Sequence, residues 1–584
     1  MEFTQVLNTV LSYPKLSQRL IEKPAEKEQA AKLLKEIAGD FSPKLVDACI
    51  KFIDATFARL YDGVSFDVPE NFDLKKLSEE NHVILVPNHQ SHADYIALTY
   101  VVYGVYSLPI YIAGGINLNV FPIGSLFRKT GAFFIRRTFS SDILYKLVFE
   151  AYVYSLLKNG SIIEFFFEGG RSRTGKLLKP KYGLFQMLLE AHKQLDDKKP
   201  LMFIPVTLAH EQVPEARSHA KELFGAKKKQ ESTSQLLKIF KIFNRQLGTI
   251  HVRFSPGIVI NEYQDLKSEV QNLAFDCFGS IAKAMPITPT AMISLVMLNE
   301  ATGALTWEGI EERALKVLRY CRALKIPLSN SLNEEKETVS LKHALEIMVE
   351  NGKIDSLYKE NLGEIYFHIV PKARVEILYF KNMIIHHFLI PGIMNSALTN
   401  LFNGTLTSTQ ELRDYITEQR LELKYEFYLP SVKEMFLSAM EIVNLALDEK
   451  VSKLDDILKL SKKEIIKVAN IIKPFSTAFI YLDEAYYLGA AALDFLHNEE
   501  FSKQRFINVA RELFELEREH GRVVKYHESY TVPVIENVLT FFINLGAVEK
   551  NEAIYKVVKA QDIKEYKDKF AKDIHDQLSM TLNE

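Results

Sequence analysis

The chain has 584 residues, more than a single hydrophobic core usually spans, so two to four domains are expected. Its 47% hydrophobic and 25% charged residues are typical of a globular protein, and 72 Lys and Arg against 74 Asp and Glu leave a formal net charge of −2. This balance argues against a general nucleic-acid binder, which normally carries a strong excess of basic residues. The three cysteines, Cys49, Cys277 and Cys321, are too far apart in sequence for a zinc cluster or a short redox motif.

The N-terminal segment, residues 1–78, is predicted to be a helical region. Apolar residues recur at intervals of three and four in AAKLLKEIAGDF and in LVDACIKFIDATFARL. The start of the chain lacks a basic stretch followed by a continuous apolar one, so no secretory signal is expected. Together with the few cysteines, this favours a reducing, cytosol-facing environment.

From about residue 79 to 265 the pattern predicts an α/β domain. Short apolar runs bounded by Gly, Pro and Asn alternate with helical stretches, and such runs are typical of buried strands. The runs are HVILVPN, LPIYIAG, GAFFIRR, SIIEFFFEGG, LMFIPVTLAH and TIHVRFSPGIVI. We expect a mixed sheet flanked by helices.

Residues 266–584 are predicted to be mostly helical. Two stretches resemble each other, since each has an apolar helix, a glycine and a short β-like segment: LKHALEIMVENGKIDSL before EIYFHIV, and VIENVLTFFINLGAVEK before AIYKVV. This repeat suggests two winged-helix-like units. Neither helix is strongly basic, so we expect packing against protein and not binding of nucleic acid.

Two long stretches lack Asp, Glu, Lys and Arg, 95–127 and 383–410. Glycines and prolines break both into pieces shorter than the roughly 20-residue helix that a bilayer requires. Burial in a core is one interpretation. The other is a surface that faces lipid, with residues 383–398 and the stretch after Asp94 around the opening of an active site. We expect a peripheral membrane protein that does not span the bilayer.

A histidine and an aspartate follow the run HVILVPN, in the segment HQSHAD. His89 can fold back onto Asp94 if the carboxylate lies in the first turn of a helix, leaving the other imidazole nitrogen as a general base. A hydroxyl needs such a base to attack a thioester near neutral pH. The alternative is a helix-capping aspartate beside an incidental surface histidine.

Arginines follow two of the apolar runs, Arg136 and Arg137 after GAFFI, and Arg171 and Arg173 within FFFEGGRSR. Between residues 128 and 181 there are 11 Lys and Arg against four Asp and Glu. The planar guanidinium can donate two parallel hydrogen bonds to a phosphate, so this cluster predicts a phosphate-bearing ligand. A solvated basic face would explain the lysines but not arginines that directly follow buried strands.

Residues 170–176 also match the phosphate-loop pattern G-x-x-x-x-G-K. Leu177 stands where the magnesium-holding Ser or Thr is needed, and Pro180 interrupts the required helix, so nucleotide hydrolysis is not expected. The adjacent His386 and His387 lack partner ligands, and no metal site is predicted.

Four segments, NHQSHADY, GAFFIRRTF, FFFEGGRSRTGK and IPVTLAHEQVPE, resemble the four ordered blocks of the glycerolipid acyltransferases. More narrowly they are similar to the bacterial membrane-bound glycerol-3-phosphate acyltransferases and their mitochondrial and peroxisomal relatives. The resemblance implies acyl transfer from acyl-CoA or acyl-carrier protein to the first hydroxyl of sn-glycerol 3-phosphate, the first step of phospholipid synthesis. It implies no metal or other cofactor, and a location at the cytoplasmic face of the inner membrane.

By position in these blocks, His89 is implied to be the base and Asp94 its orienting carboxylate. The residues implied to line the glycerol-phosphate site are Arg136, Glu168, Gly169, Arg171 and Ser172, with Arg173 nearby and with Pro205 shaping the acyl or acceptor pocket. Gly170 stands where many relatives that act on lysophosphatidate carry Thr, which favours the glycerol-3-phosphate group. Dihydroxyacetone phosphate as acceptor, and a non-catalytic lipid-binding descendant, remain the alternatives.

Overall fold

The computed structural model describes residues 2–60, 63–120, 122–136, 142–197, 199–223, 247–260, 265–300, 303–525 and 528–582. Apart from these gaps, the first of two compact units comprises residues 2–172, 177–215 and 247–286, and the second comprises residues 173–176, 216–223 and 287–582. The N-terminal region and the α/β domain, predicted as separate parts, belong to the same unit.

The first unit is built on an eight-stranded mixed sheet, as the sequence predicted. Its strands are β1 (Gly63–Asp67), β2 (His82–Pro87), β3 (Ile110–Gly115), β4 (Ala132–Ile135), β5 (Ile162–Glu164), β6 (Leu201–His210), β7 (Thr249–Phe254) and β8 (Ile258–Ile260). The order is β1-β7-β6-β2-β5-β3-β4, with β8 also beside β6. Neighbouring strands from β6 to β4 are parallel, whereas β7 and β8 run antiparallel to β6.

Helices cover both faces of this sheet, which explains why its central strands β2 and β6 are buried at every position and mostly apolar. They are α5 (Leu74–Glu80), α6 (Ala93–Thr99), α7 (Ile123–Lys129), α8 (Ile143–Lys158), α9 (Gly183–His192) and α11 (Leu266–Ala284). Val83 and Leu85 join one core with residues of α6. On the other face Phe203 packs against Phe185 of α9, with ring centroids 5.7 Å apart.

Four helices occupy most of the N-terminal segment: α1 (Phe3–Leu11), α2 (Pro14–Glu22), α3 (Glu26–Ile37) and α4 (Pro43–Leu60). They are tied to α8, because Tyr13 donates to Glu150 at 2.5 Å and the Gly39 amide donates to the Tyr152 hydroxyl at 3.0 Å. The expectation of a purely helical region was wrong at β1, which pairs with β7. The strand is short and only half-buried, so its sequence lacks the apolar run that marked the others.

The second unit is mostly helical. Its helices are α10 (Ala216–Leu223), α12 (Pro289–Asn299), α13 (Trp307–Ala323), α14 (Glu337–Glu350), α15 (Arg374–Ile384), α16 (Leu389–Phe402), α17 (Thr409–Leu423), α18 (Val432–Ala446), α19 (Leu454–Ile457), α20 (Lys462–Ser476), α21 (Ile480–Phe495), α22 (Lys503–Glu519), α23 (Val532–Asn544) and α24 (Ala560–Leu582).

Two small sheets interrupt these helices, one of β9 (Ala304–Thr306), β10 (Ile354–Lys359) and β11 (Glu364–Ile369), the other of β12 (Phe501–Ser502), β13 (Val548–Asn551) and β14 (Ile554–Val557). The stretch of chain that contains each sheet has the same order of elements: a helix, a short strand, two helices and a hairpin. This is the winged-helix order, and it covers both stretches that resemble each other in sequence. Gly352 and Gly546 follow the helices before the two hairpins at φ of 66° and 69°, where glycine is favoured.

One continuous helical run, Pro371–Phe402, is long and apolar enough among the described residues to cross a membrane, and the helix pair Lys462–Phe475 and Thr477–Phe495 qualifies only if its 45° bend is ignored. However, 83% of the most apolar window of Pro371–Phe402 is buried within the protein. Met383 and Leu398 are 1% and 2% exposed. The idea that residues 383–398 face lipid was therefore wrong, because these side chains form core.

Candidate active site

The motifs meet at one edge of the sheet because their strands are parallel. His89 comes two residues after β2, and Glu168 lies four residues after β5, the neighbour of β2. Arg136 directly follows β4, which is three strand positions from β2, or about 14 Å at the usual spacing of neighbouring strands.

His89 and Asp94 form a buried pair, as their spacing predicted. Asp94 is the second residue of α6, and its Oδ2 lies 2.8 Å from His89 Nδ1. The same oxygen accepts hydrogen bonds from the backbone amides of Gln90 at 2.7 Å and Ser91 at 2.9 Å. The loop between the two residues therefore wraps around the carboxylate and fixes the imidazole against it.

The surroundings favour a neutral imidazole beside an ionised carboxylate. Burial lowers the pKa of His89 below its ordinary value, which outweighs the opposing attraction of Asp94. Burial by itself would raise the pKa of Asp94, but hydrogen bonds from His210 and His89 hold it well below its usual range. The His89 ring stacks on Phe166 at 3.9 Å and meets the edge of Tyr95 at 5.3 Å. His89 is thus poised to accept a proton and to share the resulting charge with Asp94.

His210 is a site residue that sequence reasoning missed. Its Nε2 lies 2.5 Å from Oδ1 of Asp94, and the side chain is fully buried. His210 was noticed only as part of the segment IPVTLAHE. The available signal was its position, because a histidine that ends a strand parallel to β2 reaches the same sheet edge as His89.

Glu168 and Gly169 join the third motif to the first. The Glu168 carboxyl accepts from the amides of His89 at 3.3 Å and Leu178 at 3.2 Å, and burial raises its pKa well above the ordinary value. Gly169 has a φ of 67°, which lets the chain turn tightly after Glu168. The Ser172 amide donates in return to the His89 carbonyl at 2.9 Å. These bonds set the position of the histidine backbone.

Arg171 is linked to the first motif by Glu215, whose carboxylate accepts hydrogen bonds from both. Its guanidinium donates to Glu215 at 3.1 Å, and both side chains are largely buried. Glu215 also accepts from the Ser91 hydroxyl at 2.8 Å and the His92 amide at 3.1 Å. The charge of Arg171 contributes to lowering the pKa of His89, which indicates its proximity to the ring.

Arg136 lies in an ion-pair cluster of its own. It donates to both oxygens of Glu36, at 2.6 and 2.8 Å, and to Asp142 at 3.3 Å. Its guanidinium also lies 4.5 Å from the centre of the Tyr145 ring. A phosphate at Arg136 would have to compete with these carboxylates. Arg137 lies outside the described residues.

The end of the third motif, residues 173–176, belongs to the second unit. There Arg173 donates to Glu222 at 3.0 Å, Asn382 donates to the Thr174 carbonyl at 2.9 Å, and buried Lys176 pairs with Glu426 at 2.6 Å. Gly175 adopts a φ of 84°, and a Cβ at this position would lie 2.0 Å from the Tyr379 carbonyl oxygen. Arg173, expected near the glycerol-phosphate site, thus pairs with a carboxylate of the second unit.

Pro205 lies inside the sheet, not at its edge. It pairs in register with Val86 of β2 and precedes the part of β6 that pairs with β7. On the edge of β6 away from β2, Leu201–Phe203 pair with β8 and Val206–His210 pair with β7. Pro205 lies between these two pairings, where its missing N–H is tolerated. It lies five residues before His210, which ends β6.

The described residues contain no group of three or more His, Cys, Asp and Glu arranged to hold a metal ion. The residues gathered at the sheet edge are a base with its carboxylate, a guanidinium and several backbone amides. This set is suited to moving a proton and binding an anion.

Two family models match parts of this chain. A family model described as "Glycerol-3-phosphate acyltransferase C-terminal region" matches residues 219–551, and one described as "Acyltransferase" matches residues 70–209. The first of these covers more than half of the chain.

Three curated relatives, each called "Glycerol-3-phosphate acyltransferase", show similar identity. The relative from Haemophilus ducreyi is 31% identical, covering 76% of this chain and 56% of the relative, and that from Haemophilus influenzae is 34% identical, covering 65% and 48%. The relative from Pseudoalteromonas translucida is 30% identical, covering 74% and 55%. The chain spans about half the length of the curated relatives it matches.

Among solved structures, the 1-acyl-sn-glycerophosphate acyltransferase PlsC from Thermotoga maritima covers 47% of this chain and 97% of its own, at 13% identity and a TM-score of 0.23. That likeness is too weak to bear on the fold.

Proposed function

This chain belongs to the glycerol-3-phosphate acyltransferase family, and from that premise we propose that it esterifies the first hydroxyl of sn-glycerol 3-phosphate. The acyl group comes from a thioester of coenzyme A or acyl-carrier protein, and the product is lysophosphatidate. The observation that carries the proposal is the buried 2.8 Å pair of His89 and Asp94, with Arg171 close to it.

In the proposed reaction, Nε2 of His89 removes the hydroxyl proton as the alkoxide oxygen attacks the thioester carbonyl. The C–O bond forms and the C–S bond breaks through a tetrahedral intermediate, and the proton then passes from the imidazolium to the departing thiolate. Asp94 keeps the Nδ1 proton in place and stabilises the imidazolium while it exists. The low pKa of His89 supports this role, because the ring starts neutral.

The phosphate of the acceptor is proposed to bind the guanidiniums that follow the strands, with Ser172 and the Gly169 turn beside them. Arg171 supports this assignment because its side chain is largely buried beside the first motif, where its guanidinium donates to Glu215 at 3.1 Å. A phosphate offers several acceptor oxygens in the geometry that a guanidinium fork fits, so it can compete with the Glu215 carboxylate for Arg171.

The test is an assay of purified protein with glycerol 3-phosphate and with dihydroxyacetone phosphate, each paired with labelled acyl-CoA and acyl-carrier protein. We expect ester formation on glycerol 3-phosphate at a higher kcat/KM than on the ketone. A preference for dihydroxyacetone phosphate would make it the natural acceptor, and binding of acyl thioester without transfer to either would show a lipid-binding protein.

Replacing Arg171 or Arg136 by lysine should weaken use of the acceptor. The charge remains, but the two-pronged donor geometry is lost, and a charge-assisted bond contributes roughly 1.5–3 kcal/mol, or about 10- to 100-fold in affinity. We expect the KM for glycerol 3-phosphate to rise by about this factor and the KM for acyl thioester to stay constant.

Arg253→Lys is the matched control, since Arg253 pairs with Asp67 on β1 and β7, at the other end of the strand order from β4. It should leave both KM values unchanged. A rise confined to the KM for the thioester in Arg171→Lys and Arg136→Lys would mean that these arginines bind the donor.

The protein is also proposed to work as a peripheral protein at the cytoplasmic face of a membrane, because its product carries an acyl chain. Within residues 95–127, Ile96, Val105, Val120 and Leu126 remain exposed, by 36% to 48%. Each buried methylene is worth about 0.8 kcal/mol, so release of product into lipid is strongly favoured over water.

Flotation with zwitterionic and anionic vesicles should therefore carry the protein upward, and Val105→Glu with Leu126→Glu should lower the bound fraction. Val339→Glu serves as control, since Val339 is 70% exposed on α14 of the second unit. A fully active protein that stays in the soluble fraction with both vesicle types would contradict a membrane-facing site.

A further inference from the structure

Asp94 has a second imidazole partner that the proposed reaction does not use. Oδ2 receives three donors, from His89, Gln90 and Ser91, whereas the donor to Oδ1 among the described residues is His210 Nε2, at 2.5 Å. An ionised carboxylate only accepts hydrogen bonds, so both imidazoles must point an N–H at it. His210 thus completes the bonding of a carboxylate that has no exposed surface.

The position of His210 is built into the sheet. Asn88, just before His89, donates to the Leu208 carbonyl at 3.0 Å and accepts from the Leu208 amide at 2.7 Å. This two-way bond fixes the loop after β2 against β6 two residues before His210. On its other side His210 pairs in register with Ile250 of β7. The backbone that carries the His210 ring is therefore held on both sides.

The tautomer of His210 follows from its surroundings. Nε2 must carry a proton to donate to Asp94, and Nδ1 is buried with no hydrogen-bond partner among the described residues. A second proton on Nδ1 would be a buried donor without an acceptor, which is costly. One proton on Nε2 leaves the negative charge of Asp94 available to His89. Because His210 is fully buried, it acts through Asp94 and does not touch substrate.

We propose that His210 is a positioning residue of this site: its Nε2–H holds Asp94 ionised and turned so that Oδ2 keeps the Nδ1 proton of His89. Without this donor Oδ1 would be a buried acceptor lacking a partner, and the carboxylate would rotate or take up a proton. Either change removes the group that orients His89. The inference rests on the proposed function, since it assigns His210 to the same base.

The test compares variants of the full-length chain in kcat and in both KM values. His210→Phe removes the donor at similar size, and His210→Gln keeps an N–H near the place of Nε2. Losing the partner of a buried acceptor should lower kcat about 10- to 100-fold in His210→Phe, with both KM values within about twofold of wild type. His210→Gln should recover most of the lost rate.

Two controls separate positioning from general damage. His251→Phe changes a buried histidine on the adjacent strand whose ring meets Glu211 at 3.4 Å and not Asp94, and it should leave kcat unchanged. In a His89→Ala background, His210→Phe should cause no further loss, because it acts only through the missing base. Should His210→Phe fail to fold, His210→Asn, whose shorter amide does not reach Oδ1, takes its place.

A readout independent of transfer is the NMR signal of the hydrogen-bonded His89 Nδ1 proton in protein with labelled histidine. We expect it in wild type and in His251→Phe, and its shift or loss in His210→Phe. If wild type transfers no acyl group, the proposed function fails while this signal still decides the role of His210. A folded His210→Phe protein with wild-type kcat and an unchanged His89 signal would overturn the proposal. So would an equal loss of kcat on adding His210→Phe to the His89→Ala variant.

Discussion

His89→Ala should abolish most acyl transfer while the protein keeps its fold. General-base assistance is worth about 10²- to 10⁴-fold, and His89 is the imidazole of the first motif whose Nδ1 is held by Asp94. We expect kcat to fall by at least this factor with little change in the KM for either substrate. Steady-state kinetics and circular dichroism of the same preparation measure both effects.

The dependence of kcat/KM on pH gives a second test of His89 as the base. Only neutral imidazole can accept the hydroxyl proton, and burial lowers the pKa of His89 below the ordinary value of 6.5. In wild type kcat/KM should therefore stay high at pH values where a free histidine is already protonated, and should fall only below them.

His192→Ala is a suitable control, since it removes a histidine of α9 that hydrogen-bonds the Lys199 carbonyl, and it should retain activity and the same profile. A folded His89→Ala protein with near-wild-type turnover would rule out the base assignment.

Asp94→Asn should impair transfer nearly as severely, by about 10²- to 10⁴-fold in kcat, because a neutral amide cannot stabilise the imidazolium that general-base catalysis creates. The substitution is close to isosteric. Its carbonyl oxygen can still accept from the amides of Gln90 and Ser91, and its NH₂ group would then face His210. His210 can become the acceptor only by moving its proton to Nδ1, which is buried without a partner, so we expect a loss of about 1–3 kcal/mol in stability but a folded protein.

Kinetics at several pH values, with thermal unfolding as the stability check, test this expectation. Asp265→Asn is a matched control, because Asp265 caps α11 by accepting from the amides of Lys267 and Ser268 and lies far along the chain from the motifs. It should cost stability but not kcat. A folded Asp94→Asn protein with kcat close to wild type would show that the charge of Asp94 is not needed for catalysis.

Local sequence determined the parts of this protein that depend on neighbours along the chain. The apolar runs predicted the sheet strands because buried parallel strands need apolar residues on both faces. The five-residue spacing of His89 and Asp94 allowed the contact that the structure shows, with a capping aspartate as the alternative. Two similar stretches predicted the repeated helix and hairpin, since a glycine after each helix ends it in the same way. The order of the four motifs indicated the family.

Contacts between distant residues were decided only by the tertiary structure. His210 meets Asp94 across 116 positions, Arg136 meets Glu36 across 100, and Lys176 meets Glu426 across 250. No pattern along the chain relates such residues, because which strands become neighbours and which helices cover them depends on packing of the whole unit. For the same reason composition alone could not separate core from membrane surface in residues 383–398: apolar side chains suit both, and only the surrounding helices show that these are buried.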